Sequence, residues 1–355
     1  MNHSIKIALI VTLFISLILS LHSCKKEKKP DPPIVTTTSV TEISSTTATV
    51  EGDVTSDGGA PIIYQGICCD TSDNVTIDNV KASESGGSGT FASTITRLTP
   101  MTMYYVRAYA TNSAGIGYGN EISFITKFSP IIFNPNLPYG TVTDVEGNQY
   151  KTITIETQAD NKYKSITGGT QVWMAENLRT TKYNDETAIQ IVTDYSEWAD
   201  LSTPAYCWPH NDELYKNLYG AMYNGYTIST GKLCPTGWHV PSDTEWHQLV
   251  LFLDPSANLD ISSIAGGKLK EAGTTHWSDP NAGATNESGF TALPGGNRTS
   301  FNGGFSSIGL ISGWWSSTEN DAYNGVSVEV EFEYSRLLRN ADSKKWGLFV
   351  RCMKD

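Results

Sequence analysis

Three groups of residues in this chain have the types and spacing to do chemistry. His239, Asp243 and His247 lie close together in GKLCPTGWHVPSDTEWHQLVLFL, Gly231 to Leu253. Two imidazoles and a carboxylate are zinc-type donors, but no HExxH or paired-cysteine motif puts them on one face. His239 precedes a helix start and His247 lies inside the helix, so both read as structural and no metal site is assigned. Cys207 comes three residues before His210 in Tyr206-Cys207-Trp208-Pro209-His210, and a nearby imidazole can activate a thiol. That juxtaposition is local and isolated. No GxSxG elbow, phosphate loop or dinucleotide fingerprint is present, and no pair of carboxylates stands out at glycosidase spacing. No catalytic residue is assigned.

The third group is the loop Thr275 to Glu287, THWSDPNAGATNE. Trp277 offers an apolar face for a sugar ring. Asp279, Asn281, Asn286 and Glu287 offer planar polar groups and oxygens that could hold Ca2+. Glu319 and Asn320, in the turn after Trp314-Trp315, have a similar character. These seven residues are the candidate ligand-binding set. The competing expectation is a loop that folds onto its own domain and spends the same polar groups there.

The elements that must position these residues follow from local pattern. Ser242 and Glu245 have capping-box spacing, in which each side chain satisfies an orphan N–H of the first helical turn. Trp246, Leu249, Val250 and Leu253 then form one apolar helix face. Asp194 to Trp198 opens a second short helix by the same signal, and Lys268 to Ala272 is a third helical candidate. Around them run alternating strands and glycine-rich turns with no βαβ rhythm, which reads as α+β for residues 139–355. Residues 34–127 alternate in period 2 between turn clusters such as Ser56-Asp57-Gly58-Gly59, which reads as an all-β sandwich. Residues 128–138 fall in a proline-rich stretch and read as the linker. The chain is therefore expected to be multi-domain.

Composition bounds the setting. The formal net charge of −12 excludes nucleic acid as a partner, because phosphates demand basic patches. Only 17% of residues are charged while Gly, Tyr and Trp number 31, 17 and 9, which suits an exported, β-rich chain. Residues 1–23 read as a signal peptide, with Lys6 before the apolar run Ile7 to Leu21. Leu21-His22-Ser23-Cys24 resembles a bacterial lipobox, which implies acylation of Cys24. Residues 24–33 are a charged, proline-rich tether. The expected location is the cell envelope, lipid-anchored to the outer membrane, with periplasmic or surface display left open.

Two further resemblances bear on fold. Leu98-Thr99-Pro100-Met101-Thr102-Met103-Tyr104-Tyr105-Val106-Arg107-Ala108 is similar to the fibronectin type III pattern, with its leucine, proline and tyrosine corner. In the second half, Val172-Trp173-Met174-Ala175-Glu176-Asn177-Leu178, Tyr219-Gly220-Ala221-Met222-Tyr223-Asn224 and Cys234-Pro235-Thr236-Gly237-Trp238-His239-Val240-Pro241-Ser242 come in order. So do Gly289-Phe290-Thr291-Ala292-Leu293-Pro294-Gly295-Gly296, Trp315-Ser316-Ser317-Thr318-Glu319 and Val350-Arg351-Cys352. Together these resemble the Fibrobacter succinogenes major paralogous domain of exported bacterial proteins, here expected in a Bacteroidetes-type lipoprotein. The family brings no established reaction. Its layout is similar to C-type lectin-like and formylglycine-generating-enzyme folds, which implies a Cys234–Cys352 staple and a ligand loop near Trp277. The resulting expectation is a non-catalytic lipoprotein that binds a glycan or a surface protein. The alternatives are a cell-envelope enzyme, acting on polysaccharide or through a cysteine, and a purely structural envelope protein.

Overall fold

The computed structural model describes residues 28–157, 169–258 and 261–355. The expected signal peptide and Cys24 lie outside the described residues. Contacts divide the chain into two compact units, one up to Phe128 and one from Ser129. Among the described residues no helix is long and apolar enough to cross a membrane.

Among its described residues the first unit has eight strands: β1 Ile34–Thr41, β2 Ala48–Ser56, β3 Tyr64–Asp70, β4 Val80–Ser85, β5 Gly89–Ile95, β6 Met103–Asn112, β7 Gly115–Tyr118 and β8 Ile122–Ile125. Antiparallel pairing orders one sheet β1-β2-β5 and the other β4-β3-β6-β7, with β8 also on β6. Period-2 alternation decides what each strand buries. Ala48, Val50 and Val54 of β2 point inward and meet Ile67, Val106 and Ala108 of the other sheet. The sheets come so close at Gly52 that a Cβ there would stand 2.7 Å from the Ala108 methyl. Tyr104 closes the corner before β6, its hydroxyl accepting from the Thr99 amide at 3.0 Å. Cys68 and Cys69 are both buried on opposite faces of β3, Cys69 in the main core and Cys68 with Val75 and Tyr109. Burial pushes the Cys68 thiol up to about 12.

The second unit starts with strands β9 Tyr139–Thr143, β10 Gln149–Thr157 and β11 Gly169–Met174. Helix α1 Tyr195–Asp200, β12 Tyr206–Cys207, α2 Lys216–Tyr219, β13 Met222–Tyr223, α3 Gly225–Ile228 and β14 Trp238–His239 follow. Then come α4 Asp243–Leu253, β15 Ile261–Ser262 and α5 Ala265–Leu269. The last strands are β16 Asn297–Arg298, β17 Phe305–Ser306, β18 Ile311–Glu319, β19 Asn324–Glu331, β20 Leu337–Ser343 and β21 Met353–Lys354. One sheet runs β14-β21-β11-β10-β9 and another β15-β20-β19-β18, with the short pairs β12-β13 and β16-β17 beside them. Helix α4 carries the expected capping box and buries Trp246, Leu249, Val250 and Leu253. Trp246 meets the rings of Trp173, Phe290 and Trp314. Cys234 and Cys352 form a disulfide across 118 residues of sequence.

The expectation of an α+β, C-type lectin-like second half is not supported. Strand takes 38% of the structure and helix 13%, spread over several sheets. Among the described residues of this unit the longest helix, α4, has 11 residues, and the others are one to two turns. Local capping signals were read as helices of structural weight, whereas most of the burial is done by strands and by irregular backbone.

Candidate functional site

The loop expected to hold a ligand is turned inward. Trp277 is 1% exposed, with its indole N–H donated to the Ala292 carbonyl at 2.9 Å, so it has no face left for a sugar. The Lys270 ammonium lies over its ring and donates to the carbonyls of Ala282, Glu331 and Tyr334 at 2.8–3.0 Å. Asn281 is buried and donates to the carbonyls of Glu271 and Gly273. Asn286 is buried and closes on Thr291, accepting from its amide and donating to its hydroxyl. Asp279 is exposed, and Glu287 is exposed and paired with Lys268 at 3.0 Å. Two of the four polar residues, Asn281 and Asn286, are thus spent inward. Glu319 accepts from Lys344 and Ser229, both at 2.7 Å. Exposed Asn320 donates to Asp321.

What this loop does hold is the segment expected to be a linker. His276 lies between Glu271 and the Ser129 carbonyl, at 2.6 and 3.1 Å. Glu271 also accepts from the Ile132 amide at 2.6 Å, and Asn134 donates to the Asn286 carbonyl at 3.0 Å. Residues 129–138 are thus an arm of the second unit. The Ser129 carbonyl can only accept and Glu271 is an acceptor when ionised, so both ring nitrogens of His276 must donate. The geometry calls for the imidazolium. Burial opposes that form, but the hydrogen bond and charge of Glu271 outweigh it and leave the His276 pKa raised.

The histidines near α4 also have structural partners. His239 bridges Asp355 at 2.6 Å and Glu245 at 3.1 Å. Asp243 makes a two-pronged pair with Arg339, and His247 is buried on the helix. Among the described residues no three His, Cys, Asp or Glu side chains come together to hold a metal. Cys207 is buried, and that burial pushes its thiol up to about 12, far from a thiolate nucleophile.

A surface the sequence did not single out assembles around Arg298. This arginine is fully buried and donates to the carbonyls of Val192, Thr193, Asp194 and Gly303 at 2.6–3.1 Å. That one side chain ties residues 192–194 to the β16–β17 hairpin. Asp194 caps α1 by accepting from the Glu197 amide, which places Tyr195 outward, 51% exposed, and Trp198 inward. Across the β16–β17 pair, Phe305 sits opposite Arg298. The guanidinium lies 4.3 Å from the Trp198 ring centroid, 4.8 Å from Phe305 and 5.7 Å from Tyr195.

The ring row continues outward. Tyr195 meets Phe305 at 6.0 Å, Phe305 meets His210 at 5.4 Å, and His210 meets Tyr215 at 6.0 Å. His210 and Asn211 both adopt left-handed backbone, φ 52° and 58°, which costs non-glycine residues about 1 kcal/mol or more each. Asn211 holds the turn by donating to the Thr193 carbonyl at 2.7 Å, the same carbonyl that Arg298 holds. Leu214, 58% exposed, and Phe301, 75% exposed, lie on the same loops. Strained backbone that presents a ring, fixed by a buried cation, is a prearranged surface. It offers exposed ring faces and edges with polar groups between them, which is what stacking on an apolar sugar face needs. The sequence signal was available in Thr299-Ser300-Phe301-Asn302-Gly303-Gly304-Phe305, two aromatics set among turn residues.

A family model, the Fibrobacter succinogenes major domain, matches residues 166–354, just over half of the chain. No curated protein matches significantly. Among solved structures, the sensor domain of the anti-sigma factor RsgI4 of Pseudobacteroides cellulosolvens is 20% identical, over 27% of this chain and 95% of its own, at a TM-score of 0.22. A stretch of titin is 23% identical, over 28% of this chain and 32% of its own, also at 0.22. Likenesses of that size carry no argument here.

Proposed function

The chain belongs to the Fibrobacter succinogenes major domain family through residues 166–354, and from that premise we propose that it is a non-catalytic glycan-binding protein of the cell envelope. The observation that supports this reading is the ring row Tyr195, Phe305, His210 and Tyr215, in which Tyr195 and His210 are exposed, Phe305 and Tyr215 are half-buried, and Tyr195 and Phe305 lie over buried Arg298. Acylation at Cys24 would anchor the chain to the outer membrane, with residues 24–33 as tether and the first unit as a fibronectin type III-like spacer. A glycan is preferred over a protein partner because the row is narrow and jointed. Each ring spacing, 5.4–6.0 Å, is comparable to the width of one pyranose ring.

The test is a glycan array probed with the soluble chain lacking residues 1–24. Binding to at least one glycan class, lost in Tyr195→Ala/Phe305→Ala, supports the reading. Absence of binding to every class, or binding that survives this double substitution, removes it.

A further inference from the structure

We propose that Asn302 is a site of spontaneous modification, at which the Gly303 amide nitrogen attacks the Asn302 side chain and the turn held by Arg298 is rebuilt as isoaspartate. The proposal stands whatever the ring surface binds. The dipeptide Asn-Gly occurs at 224, 302 and 324, and the structure separates the three. Asn224 is fully buried, its Oδ1 accepts from the Ala205 and Thr227 amides, and the Gly225 amide is spent on the Lys344 carbonyl at 2.7 Å. Asn324 donates to both oxygens of Asp321, and Gly325 is held in β19 opposite Asp342.

Asn302 is exposed in the turn between β16 and β17, and among the described residues no hydrogen bond holds the Gly303 amide. The Asn302 Oδ1 accepts from the Gly304 amide at 3.0 Å and from the Thr299 hydroxyl. The first bond folds the carboxamide back along the chain, toward the Gly303 nitrogen that comes between. Both donors steady the negative charge that develops on Oδ1 under attack. Glycine at 303 is demanded by the fold: its φ is 64°, and a Cβ there would stand 2.0 Å from the Tyr195 carbonyl oxygen. The packing that builds the ring surface therefore imposes the reactive half of the dipeptide.

The chemistry needs only water. The deprotonated Gly303 nitrogen bonds to Asn302 Cγ, the Cγ–Nδ2 bond breaks, and Nδ2 takes up a proton and leaves as ammonia, closing a succinimide ring. Water opens that ring at Cγ to give aspartate, or at the main-chain carbonyl to give isoaspartate. In isoaspartate the main chain runs through the former side chain and gains one carbon just before Gly303. The Gly303 carbonyl accepts from Arg298 Nε at 2.8 Å, and the longer chain pulls it off that bond. The seat under Phe305, which lies over the same guanidinium, then loosens.

The full chain is held at mildly alkaline pH and body temperature, native and in urea, and replacement of NH2 by OH is assigned to each asparagine by peptide mass spectrometry with fragmentation. In the native chain Asn302 should convert, while Asn224 and Asn324 wait on local opening and run roughly tenfold slower or more. In urea the three should react alike. The isoaspartate-bearing fraction, separated by chromatography, should melt below Asn302→Asp, which carries the same charge without the added carbon. Conversion at Asn302 no faster than at the other two in the native chain would overturn the site. An isoaspartate fraction as stable as Asn302→Asp would overturn its effect on the turn.

Discussion

Replacing His276 with Leu should unlock the arm formed by residues 129–138 and destabilise the second unit by a readable amount. The His276 side chain is 4% exposed and Glu271 is fully buried. Without the imidazolium, the buried Glu271 carboxyl loses its His276 partner and keeps the Ile132 amide. Removing one member of a buried ion pair costs about 3–5 kcal/mol. For a unit of this size each kcal/mol moves Tm by about 2–4 °C, so a fall of roughly 10 °C is expected. All nine tryptophans lie in the second unit, so tryptophan fluorescence during thermal unfolding follows that unit alone. Hydrogen exchange at the Ile132 amide should accelerate by orders of magnitude. His276→Leu/Glu271→Leu should recover part of the loss, because the orphaned carboxylate goes with its partner. The pH dependence carries a sign. His276 has a folded-state pKa raised above its ordinary 6.5, so its contribution is complete below that value and is lost as pH rises through the folded-state pKa. Half-buried His239 also has its pKa raised, and subtracting the His276→Leu profile isolates the buried pair. A loss under about 1 kcal/mol with unchanged Ile132 exchange would refute the clamp.

Three other outcomes follow from the same packing. Reduction or Cys234→Ala/Cys352→Ala opens a closure of 118 residues and should cost about 5 kcal/mol on the loop-entropy estimate, read as a lower urea midpoint. Arg298→Met takes the arginine's hydrogen bonds from the Val192 and Gly303 carbonyls, at about 1–3 kcal/mol each, while the Thr193 carbonyl keeps Asn211 and the Asp194 carbonyl keeps the Trp198 amide. It should lower stability by several kcal/mol and abolish glycan binding together. Cys207 is buried with its thiol pushed up to about 12, so iodoacetamide should modify it only after denaturation. Rapid labelling in the native chain would contradict its placement.

What the residues themselves made legible was local, and the one long-range pairing expected, Cys234–Cys352, came through the family resemblance. The capping box Ser242–Glu245 and the apolar face of α4 are written within a dozen residues, and the structure holds both. Trp277 was misread because a tryptophan among Asp, Asn and Gly looks exposed. Its burial depends on Ala292 and on Lys270, whose carbonyl partners Glu331 and Tyr334 lie more than 60 residues along the chain. The arm at 129–138 looked like a linker for the same reason, since its partners Glu271 and His276 are 139 and 147 residues away. The ring surface was missed because its three segments have no common pattern. Arg298 ties two of them together, 106 residues from Val192, and a buried arginine is not distinguishable in sequence from a surface one.

The central claim is that Tyr195, Phe305, His210 and Tyr215 form a binding surface for sugar rings. Calorimetric titration of the strongest array glycan into the wild-type chain and into Phe305→Ala tests it most directly. Phe305 touches Tyr195 and His210 and covers Arg298, so it is the central contact, and truncating a central aromatic anchor costs about 2 kcal/mol or more. The account predicts affinity at least tenfold weaker, with Tm within a few degrees of wild type. Unchanged affinity in a folded Phe305→Ala chain would contradict it.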